Sequence, residues 1–235
     1  MSRALKRVAH SLTIDDLLRN SPWFGALGTG AQAEVRRAVF EREIGAGQTL
    51  SHRGETQHHW IGVLEGLLTW SIVTIEGKAV SFSGQAPGAW FGEGTLLRGQ
   101  PRQSELVSLR HTRVALLPRE VFEWLRSTEP SFNEFLLMQI NERLHWFMGN
   151  FAAYGLLNVD RLVARALAGL VHPLLNPSGD RYLHITQEEL ASLAAVSRPR
   201  CNRSLVGMAQ QGLVELEYGA VRVLDLARLQ AFAAA

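Results

Sequence analysis

The chain has 235 residues, 46% hydrophobic and 20% charged, and 24 Lys and Arg against 22 Asp and Glu leave a formal net charge of +2. That length suits two domains better than one, and the composition is that of an ordinary folded protein. No apolar run approaches the roughly 20 residues that span a bilayer, and the N-terminus reads as lacking a secretion signal. A single cysteine excludes an intramolecular disulfide, a Cys-ligated cluster and an all-Cys zinc site, so a reducing cytoplasm is the expected location.

Residues 12–27 (LTIDDLLRNSPWFGAL) read as helix, with an Asp pair near its start and Ser-Pro and Gly as breaks. AQAEVRRAVFERE (31–43) reads as a short helix running into a strand. From Ile44 to Leu117 short apolar runs (WIGVLEG, LLTWSIVTI, AVSFSG, LVSLR, RVALL) alternate with turns such as GAGQ, IEGK and APGA. That spacing predicts an antiparallel sandwich or barrel. From Pro130 the period becomes helical. Ile140, Leu144, Phe147, Phe151 and Tyr154 step by 4, 3, 4 and 3, the a/d spacing of a helix pairing with a second helix. Gly149 and Gly155 weaken that seam by about 1 kcal/mol each relative to Ala. A symmetric dimer through this helix is expected.

After Asn158 the sequence predicts a helix (VDRLVARALAGLV), a break (HPLLNPSGD), two short helices and a hairpin around Tyr218-Gly219. Thr186 and Glu189 form a capping box for the first short helix. Ser197 is an N-cap candidate for the second, and Pro199 fits its first turn, where the N–H groups have no intrahelical partner. A tight turn between two such helices is a helix-turn-helix, with small Ala191 and Ala195 near the crossing. Between Leu190 and Val214 the formal charges are Arg198, Arg200 and Arg203, with no acid. Arg198, Pro199, Arg200, Asn202 and Arg203 would then face outward, as a DNA major groove requires, since Arg pairs with guanine or phosphate and Asn with adenine.

This order of parts resembles the bacterial cyclic AMP receptor protein/FNR superfamily of transcription regulators over about 17–229. Two segments carry the resemblance: PGAWFGEGTLLRGQPRQSE (87–105), similar to a cyclic-nucleotide phosphate cassette, and ITQEELASLAAVSRPRCNRSLVGMAQQGLVE (185–215), similar to the family's DNA-reading unit. The implied fold is α+β: a cyclic-nucleotide-binding-type β-roll (jelly roll) over 1–125, a dimerisation helix and hinge over 126–158, and a winged helix-turn-helix over 159–235. The resemblance implies that Gly92 lets the backbone approach a phosphate, that Glu93 takes a ribose hydroxyl, and that Arg102 pairs with the phosphate. Gln103 stands where the family usually has a small hydroxyl residue, with Ser104 one place later. Phe147 and Met148 stand where the receptor supplies Thr and Ser to the adenine. Those departures leave cyclic AMP no more favoured than another nucleotide such as cyclic di-GMP, or than an effector-independent fold. Haem sensing through one of the eight histidines, as in some gas-sensing relatives, is a further alternative resting on no motif.

In the reading unit, Thr186, Gln187, Ser197, Arg198, Pro199, Arg200, Asn202 and Arg203 are the candidate DNA contacts. Arg198 and Arg203 are the expected base readers and Arg200 a phosphate contact. Pro199 replaces a Glu that accepts from cytosine in relatives. Double-stranded DNA with a palindromic operator and a second copy of the chain are the expected partners, with RNA polymerase a further candidate and no membrane contact. The ligand is expected to shift the packing of the cassette on the long helix near Phe147 and the hinge at Leu157–Asp160. The competing class is a cupin-like metal enzyme or small-molecule binder. His52, His58, His59 and Glu65 lie in the β segment, but adjacent His58 and His59 point to opposite strand faces. Cys201 reads as a small hydrophobe rather than a redox switch.

Overall fold

In the computed structural model the described residues are 11–73, 79–155, 158–177 and 181–234. The expected turn IEGK, the side chain of Tyr154 and Leu157 of the expected hinge lie outside them. The chain opens with α1 (Ile14–Arg19), α2 (Pro22–Gly25) and α3 (Thr29–Ala38). Thr13 Oγ1 accepts from the Asp16 N–H and Asp16 answers at the Thr13 N–H, so the Asp pair does start a helix. The Ser-Pro pair is not only a break: Pro22 is the first residue of α2.

The strands are β1 (Phe40–Ile44), β2 (Thr49–Ser51), β3 (His59–Glu65), β4 (Leu68–Val73), β5 (Ala79–Gln85) and β6 (Trp90–Phe91). After α4 (Glu93–Arg98) come β7 (Glu105–Ser108) and β8 (Thr112–Pro118). They form two four-stranded antiparallel sheets, ordered β1-β8-β3-β6 and β2-β7-β4-β5. Ile61, Val63, Phe91, Val114 and Leu116 point between the sheets, where Leu68 and Leu106 meet them. Their sequence neighbours Trp60, Leu64, Ala115 and Leu117 point the other way, into a second core roofed by helices. Both faces of β3 and β8 are therefore buried, which is why they read as continuous apolar runs, while the edge strand β1 stays largely exposed. At the β3–β4 turn Gly66 has φ 93°, and a Cβ there would lie 2.6 Å from the His111 carbonyl oxygen. Gly66→Ala is expected to cost about 2–3 kcal/mol, read as a lowered denaturant midpoint, because neither the left-handed backbone nor a backbone contact can yield cheaply.

The roof is α5 (Arg119–Thr128) and α6 (Pro130–Gly155), together with α1 to α3. Phe132 and Leu136 of α6 are buried with Trp23, Trp60, Trp90 and Phe122. Gln139 and Arg143 continue the same face of α6. The opposite face carries Leu137, Ile140, Leu144, Phe147, Met148 and Phe151, all exposed in the single chain. A helix apolar on both sides cannot satisfy both against one domain.

The C-terminal part comprises α7 (Val159–Leu170), β9 (Tyr182–Leu183), α8 (Gln187–Leu193), α9 (Arg198–Gln210), β10 (Val214–Glu217), β11 (Ala220–Val223) and α10 (Leu226–Ala234). Its strands form an antiparallel sheet ordered β10-β11-β9, with the hairpin turn at Tyr218-Gly219. Gly149 has a structural use: Arg165 of α7 crosses α6 there, with Nε donating to Asn150 Oδ1 at 2.7 Å and Nη2 to the Trp146 carbonyl at 3.1 Å. A Cβ at 149 would stand 2.1 Å from that Nη2. The C-terminal core also takes in Leu67 and Ala86 of the β-roll. Arg110, between β7 and β8, donates to both carboxylate oxygens of Glu189 at 2.8 and 2.7 Å.

Candidate functional site

The first site lies around α4. Gly92, at φ 98°, turns the chain from β6 into α4, and Gly99 at φ 60° ends the helix. The following loop returns Arg102 beside the start of α4. Arg102 is 3% exposed, yet among the described residues no carboxylate pairs with it. Its Nη1 donates to Gln57 Oε1 at 2.8 Å and its Nε to the Ser104 carbonyl at 3.4 Å. Its main chain is pinned as well, with the N–H donating to the Glu55 carbonyl and the carbonyl accepting from the Gly54 N–H. Burial pushes the guanidinium down to about 10, opposed by the charge of Glu55. A buried cation held by neutral partners at the wall of a cleft is suited to an anion. The cleft is about 210 Å³ and is lined by Trp70, Gly92, Thr95, Arg98, Arg102 and Ser104 among others.

Glu93 lies elsewhere. Its carboxylate is 1% exposed, pairs with Arg143 of α6 at 2.8 Å and accepts from Trp60 Nε1 at 3.4 Å. It does not line the cleft, so the ribose contact implied by the resemblance is not formed in this arrangement. Arg143 Nη2 also donates to the Trp90 carbonyl at 2.8 Å, which Gln139 Nε2 reaches at 2.6 Å. The cassette is thus fastened to the long helix at Gln139 and Arg143, one turn before the position expected from Phe147. Phe147 and Met148 sit on the exposed face of α6 and do not line the cleft, whereas Gln103 and Ser104 do. Sequence reading missed Gln57, Trp70, Arg98, Gln139 and Arg143. The signal for two of them was present: 132, 136, 139 and 143 step along one helical face as regularly as the seam does.

The second site is the surface of α8 and α9. Thr186 and Glu189 make the expected capping box. Ala195, at φ 52°, makes the tight turn between the helices, a left-handed conformation uncommon outside Gly, Asn and Asp. Ser197 is the N-cap residue of α9, although its side chain makes no capping bond, and Pro199 occupies the first turn. Cys201, Ser204, Leu205 and Met208 face inward and are buried. Burial pushes the Cys201 thiol up to about 11, which keeps it protonated. Arg198, Pro199, Arg200, Asn202 and Arg203 are all exposed on one side with Ser197. Gln187 Nε2 donates to Asn202 Oδ1 at 3.0 Å, joining the start of α8 to the outer face of α9. Beyond them Tyr218 stands fully exposed at the tip of the β10–β11 hairpin.

Among the described residues no group of three or more His, Cys, Asp or Glu is placed to hold a metal ion, and no helix is long and apolar enough to cross a membrane. Residues 41–129 match the family model of the cyclic nucleotide-binding domain, and residues 161–232 that of the Crp-like helix-turn-helix domain. The chain is 25% identical over 219 residues to a CRP-like cAMP-activated global transcriptional regulator of Mycobacterium tuberculosis, covering 92% of this chain and 98% of that protein. It is 26% identical over 217 residues to the cyclic AMP receptor protein of Thermus thermophilus, with the same coverage. The solved structure of FixK2 from Bradyrhizobium japonicum shares the fold at a TM-score of 0.68 and 16% identity, over 84% of this chain and 98% of that one.

Proposed function

Because this chain belongs to the CRP/FNR superfamily of bacterial transcription regulators, we propose that it acts as a homodimer in the cytoplasm, reads a palindromic operator through α9, and takes a small anionic effector at Arg102. The observation that carries the reading is the acid-free exposed row Arg198, Arg200, Asn202 and Arg203 on the second helix of a helix-turn-helix. The dimer would form on the exposed seam Leu137, Ile140, Leu144, Phe147 and Phe151, and would present two α9 helices to half-sites about 34 Å apart. The relatives named above are regulators rather than enzymes, and RNA polymerase would be the further partner of such a protein. Its domains would divide as the sequence suggests, 1–125, 126–158 and 159–235.

Effector control would run through the fastening described above. An anion at Arg102 alters the loop that begins at Gly92, and Trp90 and Glu93 pass the change to Gln139 and Arg143 on α6. The same helix carries the seam, so the two copies move together. A ligand acts this way only by binding one arrangement better than the other.

Arg198→Ala and Arg203→Ala should each cost about 1–3 kcal/mol of discrimination at one operator position, while Arg200→Ala weakens binding to all sequences alike and lowers the salt slope by about 1. Fluorescence anisotropy on operator and scrambled duplexes at several salt concentrations separates the two effects. Unchanged duplex binding in all three variants would remove α9 as the reading element.

A further inference from the structure

The cleft at α4 holds more positive charge than one phosphate ester needs. Two guanidinium groups line it, Arg102 from within and Arg98 from the rim, and none of the lining residues is acidic. Arg98 is not splayed at random: its Nη2 donates to Gln100 Oε1 at 2.6 Å, and Gln100 lines the same cleft. Two acids close by in the sequence are otherwise engaged. Glu93 is neutralised by Arg143, and Glu55 accepts from the His52 N–H at 2.8 Å and from Ser51 Oγ at 3.3 Å. Thr95 and Ser104 add neutral hydroxyls, and Trp70 adds an aromatic wall whose ring carries Arg143 at 5.2 Å. A cyclic mononucleotide brings one negative charge and would engage Arg102 alone. Among the described residues no carboxylate lines the cleft to take its ribose.

We propose that the effector carries at least two phosphate charges, the first held by Arg102 and the second by Arg98, as in a cyclic dinucleotide or a nucleoside diphosphate. This rests on the reading of the cleft as an effector site. It also makes Arg98 the residue that selects ligands by charge, because a guanidinium on a phosphate forms paired, charge-assisted hydrogen bonds.

The test is calorimetric titration of the full-length protein with cyclic GMP, cyclic di-GMP and GDP, which share a base and differ in phosphate charge, repeated on Arg98→Gln and Arg102→Ala. Arg98 is exposed, so Arg98→Gln should melt with the wild type. The expected result is that cyclic di-GMP or GDP binds at least tenfold tighter than cyclic GMP, and that Arg98→Gln removes that advantage while sparing cyclic GMP. Which of the two doubly charged ligands binds identifies the source. Cyclic GMP binding as tightly as either, unchanged by Arg98→Gln but lost in Arg102→Ala, overturns the two-charge proposal and leaves the effector site standing. No heat with any of the three overturns both.

Discussion

Arg143→Met is expected to destabilise the β-roll by about 3–5 kcal/mol, the range for breaking a buried ion pair by removing one partner. The substitution is close in length and apolar, so little volume is lost. What remains is the Glu93 carboxylate, 1% exposed, with the Trp60 N–H at 3.4 Å as its recorded donor. The Trp90 carbonyl loses one of its two side-chain donors as well. Adding Glu93→Gln to Arg143→Met should recover part of the loss, because the uncompensated charge is gone. Guanidinium titrations of the single and double variants check both statements.

Leu144→Asp, alone or with Phe151→Asp, is expected to leave each chain folded and separate the copies. Leu144 is 55% exposed and Phe151 83% exposed in the single chain, so neither change touches its core. Across a dimer seam, however, each Asp would be buried opposite its own copy, where like charges repel and lose water. Operator affinity should fall by about 10²–10⁴-fold, because one reading head no longer holds the second at high effective concentration. Sedimentation velocity gives the state of association, and anisotropy on a one-half-site duplex gives the intrinsic affinity of a head. That affinity should be unchanged. A variant that stays dimeric with full operator affinity would place the interface elsewhere.

Much of this was legible because the responsible signals are local. Short apolar runs located β3, β4, β5, β7 and β8, with glycine turns marking the ends of the first three. The Thr13 and Thr186 caps marked two helix starts, and Pro199 fell where a first turn tolerates it. The elements that went unread are of two kinds. Strands β2, β6 and β9 have two or three residues, too few to show a period of two. Helices α5 and α10 close the two cores, and their partners are decided in three dimensions. The site divides in the same way. Arg102 follows from the resemblance, but its burial against Gln57 joins residues 45 positions apart. Glu93 reads as a ligand contact until Arg143, 50 positions later, is seen to occupy it. Pairs at such separations leave no mark on a single sequence. Phe147 and Met148, which the resemblance aligns with the receptor's adenine contacts, lie on the exposed seam face of α6, opposite the face that holds the cassette.

The most direct test of the central claim is selection of random duplex DNA by the purified full-length protein, followed by measurement of the spacing in the enriched sequences. Two inverted half-sites about 34 Å apart centre to centre are expected, with enrichment that collapses in Arg198→Ala and Arg203→Ala. Enrichment of a single unsymmetrical site, or no enrichment over unselected DNA, would contradict a dimer that reads its operator with two copies of α9.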